Sequence, residues 1–344
     1  MAFGLPMGFL RKGNDSKDAQ TRGGIIYRVS SMINSLHHGV LFNISLAEMG
    51  SLRLGQLVKS TIRVLPALAR WLGASAGDDF ENICIHQLRR RIEKGPPPRP
   101  SGDFMTFLLN PTLTKSQLPE GEHGSTAPFG ELVADSNMMM NAGSDTTAAA
   151  LSSTLYHLLS SPDCLEKLRQ ELDEQCPLES QEDPIDGILP YSSVSELPYL
   201  RACIDETLRL RPPIAYQLPR LVHAPGGATI SGHHIRQGTI VAISPYSIHR
   251  NKTLYQNPDA FNPDRWLNGS DPEQIRRLKA YTIPFSQGSR ACIGRHIAIV
   301  ELQIVISTLV RRYDMSLREP DQVLEIFDRF NSNPGPLPIR VKMR

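Results

Sequence analysis

The chain has 344 residues, enough for one large domain or two ordinary ones. An apolar fraction of 40% and a charged fraction of 21% belong to a globular protein with a core, and a net charge of +2 without a dominant basic block gives nucleic-acid binding no support. Five cysteines (Cys84, Cys164, Cys176, Cys203 and Cys292), odd in number, widely spaced and without a C-x-x-C pair, argue against a disulfide framework or a zinc knuckle and for a reducing compartment.

In chain order, the first ten residues are apolar but are broken by Gly4, Pro6 and Gly8 and lack a basic leader. They fall below the ~20 residues of a membrane span, so no transmembrane anchor is expected. Residues 1–30 read as a Gly- and charge-rich loop, and residues 27–71 as apolar stretches of helical spacing interrupted by Pro66. A helix is predicted over 78–94, capped by Asp78 or Asp79 and stopped by the prolines of 95–100. Residues 110–127 read as loop. The longest helical pattern runs from Pro128 to about Leu159 and would span ~48 Å. Ser161-Pro162 starts another helix, 177–193 is loop, and a further helix runs from about Pro198 to Leu210, ending before Pro212-Pro213. Residues 228–243 read as β-hairpin material, 251–284 as turn-rich and irregular, and 294–313 as a last helix with a continuous apolar stripe. The expected fold class is mainly α with a minor β region in the C-terminal half, arranged as one domain over 1–344.

Three segments carry chemistry. Phe285 to Gly294 sets Cys292 in a glycine-bearing loop just ahead of a long helix. Unpaired N–H groups and a partial positive charge at a helix start favour thiolate, the form that ligates a metal. Gly288 allows a tight turn, Gly294 a close approach to a flat ligand, Arg290 an anionic edge contact, and Phe285 a shield beside the sulfur. A buried structural cysteine is the competing reading of this segment taken alone. The second segment, Ala142-Gly143-Ser144-Asp145-Thr146-Thr147, puts small and hydroxyl residues in mid-helix, where glycine costs ~1 kcal/mol relative to alanine. A helix kink explains Gly143, but not the acid and hydroxyl beside it. Third, Glu206 and Arg209 share a helix face at i and i+3, and Arg265 downstream offers Glu206 a second guanidinium. His249 and His296 read as structural or solvent-facing, Met138 to Met140 as core or pocket lining, and Arg276, Arg277, Lys279 and Arg295 as a basic face.

Taken together, F-x-x-G-x-R-x-C-x-G (285–294), A-G-x-D-T-T (142–147), E-x-x-R (206–209) and F-x-P-x-R-W (261–266) resemble the cytochrome P-450 family in order and spacing. The text of 218–251 and 258–267 is similar to its fungal membrane-bound branch in particular. The resemblance implies a heme b held by the Cys292 thiolate, with Arg290 and Arg220 on its propionates and Phe285, Gly288, Gly294 and Gly143 around it. It implies proton relay by Asp145 and Thr146, a structural triad of Glu206, Arg209 and Arg265, and substrate contact by Ala142, Ile214 and Ala215. The implied activity is monooxygenation of a small or medium hydrophobic substrate with O2, in a fungal setting that includes secondary metabolism. Electrons would come from NADPH through a flavoprotein reductase, docked in part by the basic face. The resemblance starts partway into the family: the anchor, the first helices and strands, and a Trp/Arg propionate contact have no counterpart. The expectation is therefore an N-terminally truncated P-450 fold. Relatives of full length would be anchored in the endoplasmic reticulum membrane, whereas this chain would be cytoplasmic or membrane-peripheral. Two alternatives stay open: a non-catalytic or weakly heme-binding remnant, and a reductase-independent isomerase or dehydratase.

Overall fold

A computed structural model describes residues 17–29, 75–94, 104–109, 127–177, 187–267 and 271–344. Most of the 110–127 loop and all but residues 27–29 of the apolar stretches expected over 27–71 lie outside them, and residues 27–29 form strand, not helix. The chain forms two compact units, Met1–Ala142 and Gly143–Arg344.

In the first unit, strands β1 (Lys17–Gln20) and β2 (Ile26–Val29) pair antiparallel, with Ala19 opposite Tyr27. This corrects the expectation of a loop over 1–30. KDAQ carries no apolar alternation, so period-2 patterning gives no strand signal. The turn shows instead in Gly24, at φ +97°, whose N–H donates to the Thr21 carbonyl. Helix α1 (Ser75–Lys94) begins a few residues ahead of the expected caps, leaving Asp78 and Asp79 near its positive end. Arg89 of α1 donates to the Thr21 and Arg22 carbonyls, fastening the hairpin to the helix. Ile85 and Leu88 pack with Met105 of the short α2 (Phe104–Leu109) and with Leu132 and Val133 of α3 (Phe129–Leu159).

The second unit is built on three helices: α4 (Pro162–Gln175), α6 (Pro198–Leu210) and α9 (Arg295–Arg312). Leu165, Leu168 and Leu172 of α4, Leu200, Ile204 and Leu208 of α6, and Ile299, Leu302, Ile306 and Val310 of α9 recur every three or four residues. That spacing gives each helix one apolar face, and the faces share one core. Helix α6 ends at Leu210 because Pro212 and Pro213 cannot continue it. Ser161 starts α4 through its carbonyl, which accepts from Cys164 and Leu165, not through its side chain. A short α5 (Tyr191–Val194) occupies the end of the expected 177–193 loop.

The expected hairpin divides in two. Strands β4 (Ala228–Ile230) and β5 (His233–Ile235) pair across Ser231 (φ 48°) and Gly232 (φ 81°), the left-handed pair that a two-residue hairpin turn demands. Strand β6 (Ile240–Val241) instead pairs with β3 (Arg220–Leu221). A short α7 (Pro245–Ile248) follows. The stretch 251–284, expected to be irregular, contains a 3-10 turn (Pro263–Trp266) and a ten-residue helix, α8 (Pro272–Tyr281). Asp271 caps α8 by accepting from the Glu273 N–H at 3.0 Å, Pro272 fits its first turn, and Ile275 and Leu278 are buried. After α9, β7 (Tyr313–Leu317) pairs with β10 (Ile339–Met343), and β8 (Ile326–Arg329) with β9 (Asn331–Pro334). Every sheet among the described residues has two strands, so helices carry the core and strands decorate it.

Candidate functional site

The loop before α9 is closed by backbone bonds. The Cys292 N–H donates to the Phe285 carbonyl at 2.8 Å and the Ser286 N–H to the Ile283 carbonyl at 3.0 Å. Gly288, at φ +76°, opens the 3-10 turn Gly288–Arg290, a conformation that a side chain would strain. Gly294 is the N-cap of α9, and a methyl there would stand 3.9 Å from the Cys292 sulfur. Phe285 is half-buried against the helical core, and the Arg295 guanidinium lies 5.8 Å from its ring centre.

Cys292 is the exposed one of the five cysteines. Burial pushes the Cys84 thiol up to about 12 and Cys203 well above its ordinary value, and it raises Cys164 and Cys176 in the same direction. Those four stay protonated near neutrality, leaving Cys292 as the thiol open to a ligand. Arg290, exposed two residues away, makes no hydrogen bond to a described side chain or backbone group, so its charge is available to an anion. Ile293, beside the thiol, is 95% exposed. A soft donor, an uncommitted guanidinium and uncovered apolar surface fit a thiolate-ligated planar group bearing carboxylates. Arg220 on β3 is exposed too, but it donates to the carbonyls of Leu218 and Pro219 beside it.

On α3, Ala142, Gly143 and Ser144 are exposed, Asp145 and Thr146 half-buried and Thr147 buried. Ala142 closes the first unit and Gly143 opens the second, the unit that also holds the cysteine loop. A Cβ at Gly143 would meet nothing within 4 Å, so no packed neighbour among the described residues requires glycine there. Ile214 and Ala215 are half-buried after the proline pair, with the Ala215 carbonyl accepting from Tyr246 N–H and Ser244 Oγ.

Glu206 and Arg209 are completely buried. The Arg209 Nε and Nη2 donate to the two Glu206 oxygens at 2.9 and 2.8 Å, a bidentate fork. Arg265 Nε donates to Oε1 at 3.0 Å. Two further donors were not singled out from sequence: Trp266 Nε1 to Oε2 and the Asn262 N–H to Oε1, each at 3.0 Å. The signal was present in Trp266, since a buried indole N–H needs an acceptor. Arg209 also donates to the carbonyls of His249, Pro258 and Ala260, which ties the irregular 249–262 stretch to α6.

His249 is fully buried and takes a structural place. Its Nε2 accepts the Ile283 N–H at 2.8 Å, which fixes the ring proton on Nδ1, 3.0 Å from the Arg209 carbonyl. Burial, together with the nearby Arg209 and Arg250 charges, lowers its pKa to about 4, so the ring is neutral.

Helices of this order around a solvent-facing cysteine loop define a heme-domain fold of the thiolate-ligated class. The crystal structure of the cytochrome P450DA heme domain superposes with a TM-score of 0.68 over 91% of this chain and 61% of that one, at 22% identity. A profile of the Cytochrome P450 family matches residues 46–343, and the chain belongs to that family. A cytochrome P450 monooxygenase of Aspergillus terreus (strain NIH 2624 / FGSC A1156) is 39% identical over 253 residues, covering 72% of this chain and 49% of that protein. Benzoate 4-monooxygenase bphA of Aspergillus niger is 30% identical over 100% of this chain and 62% of its own length. The chain spans about half the length of several of the curated relatives it matches.

Proposed function

We propose that this chain is the heme-binding part of a fungal heme-thiolate monooxygenase, residues 1–344 belonging to one domain. The family profile supports that grouping, since it runs through both compact units. The observation that carries the function is Cys292, exposed at the mouth of α9 while the other four cysteines are held as thiols by burial. Bound there, heme supplies O2 activation, by which one oxygen atom enters a small or medium hydrophobic substrate.

The chain's own residues supply the rest. Cys292 Sγ would hold the iron, and Arg290 with Arg220 would pair with the propionates. Phe285, Gly288, Gly294 and Gly143 would line the heme. The Asp145 carboxylate and Thr146 Oγ1 would hold and pass a proton, and Ala142, Ile214 and Ala215 would contact substrate. Glu206, Arg209 and Arg265 are structural: every contact Glu206 makes is to protein donors. The electron donor is an NADPH-dependent flavoprotein reductase. Arg277, Lys279 and Arg295 give it an exposed basic face, while Arg276 is engaged by Glu273 at 2.7 Å. No helix among the described residues is long and apolar enough to cross a membrane.

The test is the carbon-monoxide difference spectrum of the purified chain, reduced in one arm by dithionite and in the other by NADPH with the reductase. The expected result is a thiolate-type, red-shifted Soret band in both arms that Cys292→Ala abolishes. A band unchanged in Cys292→Ala overturns the ligand assignment. A band in the dithionite arm alone overturns the partner.

A further inference from the structure

Two buried side chains outside the motifs hold the run of backbone leading into the cysteine loop. His249 Nε2 accepts the Ile283 N–H at 2.8 Å. Tyr255 meets the neighbouring residue: its hydroxyl lies 2.8 Å from Thr282 Oγ1, and Thr282 in turn donates to the Leu278 carbonyl at 2.7 Å. The Thr282 hydroxyl proton is thereby spent, so Tyr255 is the donor of the pair. Both side chains rest on Arg209. His249 reaches its carbonyl through Nδ1, and the Arg209 guanidinium lies 5.0 Å from the Tyr255 ring centre. The loop then hangs from Ile283. Its carbonyl takes the Ser286 N–H, and the Phe285 carbonyl, two residues on, takes the Cys292 N–H. Both hydrogen-bonded anchors come from the 249–255 stretch.

We propose that His249 and Tyr255 are positioning residues for the Cys292 sulfur, pinning Thr282 and Ile283 onto Arg209 and so fixing the loop that presents it. A thiolate ligand must be held within about half an ångström of its productive place, and the holding falls to residues whose own rotamers are locked. Both rings meet that condition, since each is 0% exposed and bonded at its polar end. The assignment rests on the reading of Cys292 as the heme ligand.

The experiment compares the full chain with Tyr255→Phe, His249→Ala and His249→Gln. The Phe variant removes one hydroxyl and leaves the ring over Arg209. The Gln variant offers Oε1 to the Ile283 N–H. Amide hydrogen exchange is read at Ile283 and Cys292, without added heme, and the carbon-monoxide difference spectrum is read with it. Loss of one buried hydrogen bond is expected to speed exchange at those two amides by ~3–10-fold in Tyr255→Phe and His249→Ala. Leu168 and Leu302, in the helical core, should be unchanged. The share of protein showing the displaced-thiol band rises in the same variants, and His249→Gln recovers both readings relative to alanine. Exchange that quickens equally throughout the core, or not at all at Ile283 and Cys292, overturns the proposal. If His249→Ala fails to fold, Tyr255→Phe decides alone. If the unsubstituted chain shows no thiolate band, the heme reading fails. Exchange at the two amides then still settles whether this pair holds the loop.

Discussion

At Glu206, five donors converge on two oxygens in a place that water does not reach. Taking a carboxylate out of water is costly, and here it is offset only because two guanidinium groups, an indole and a backbone amide all face it. The arrangement is therefore brittle in one direction. Removing the acid strands Arg209 and Arg265 with buried charge, so Glu206→Ala should cost about 3–5 kcal/mol of stability. Urea denaturation followed by Trp266 fluorescence would read this directly, because the indole itself reports on Glu206. A cost within ~1 kcal/mol, the range of an exposed pair, would refute the picture of a closed lock.

At the scale of elements, the long helix α3 shows what one glycine does. Gly143 lies inside the helix and is open on the side a Cβ would take, so Gly143→Ala should stabilise the heme-free chain by roughly 0.5–1 kcal/mol. If the residue faces the cofactor as proposed, the same methyl should lower heme retention, and opposite signs in the two measurements would be diagnostic. Destabilisation of the heme-free chain would contradict the open surroundings described. Helices α3, α6 and α9 were legible in the sequence to within a residue or two. Helix α8 was not, although Asp271-Pro272 marks its start, because the prolines around it read first as turns. The β1–β2 hairpin was hidden because β1, KDAQ, carries no apolar alternation and its place depends on α1. The cysteine loop and the Glu206–Arg209–Arg265 cluster stood out because each needs particular residue types at fixed spacing. What pins them, His249, Tyr255, Trp266 and the Asn262 amide, is set by tertiary contact across 27 to 60 residues, which periodicity does not encode.

On the scale of the molecule, two histidines, the buried His249 and the half-buried His157, make the second unit acid-sensitive. His157 on α3 stacks on Phe261 with ring centres 4.9 Å apart, and its buried Nε2 has no hydrogen-bond partner among the described residues. Burial, with the charges of Arg211, Arg209 and Arg250, holds its pKa near 3, while the same forces hold His249 at about 4. In the unfolded chain a histidine protonates near pH 6.5. Between pH 6.5 and about 4 the unfolded state therefore binds up to two more protons than the folded one, and stability falls as the pH falls. Each proton contributes a slope of about 1.4 kcal/mol per pH unit once the unfolded histidine is charged. Glu171, Asp205 and Glu301 act with the opposite sign, because burial raises their carboxyl pKa values and the folded state takes up their protons first. Their compensation offsets part of the loss, and the histidine variants separate the two contributions. Urea midpoints of Trp71→Phe, which leaves Trp266 to report on the second unit, should drop steadily across that window. His157→Phe and His249→Gln should each flatten the slope by about one proton's worth. A midpoint that stays level from pH 7 to 5 would mean that neither ring is held neutral by the fold.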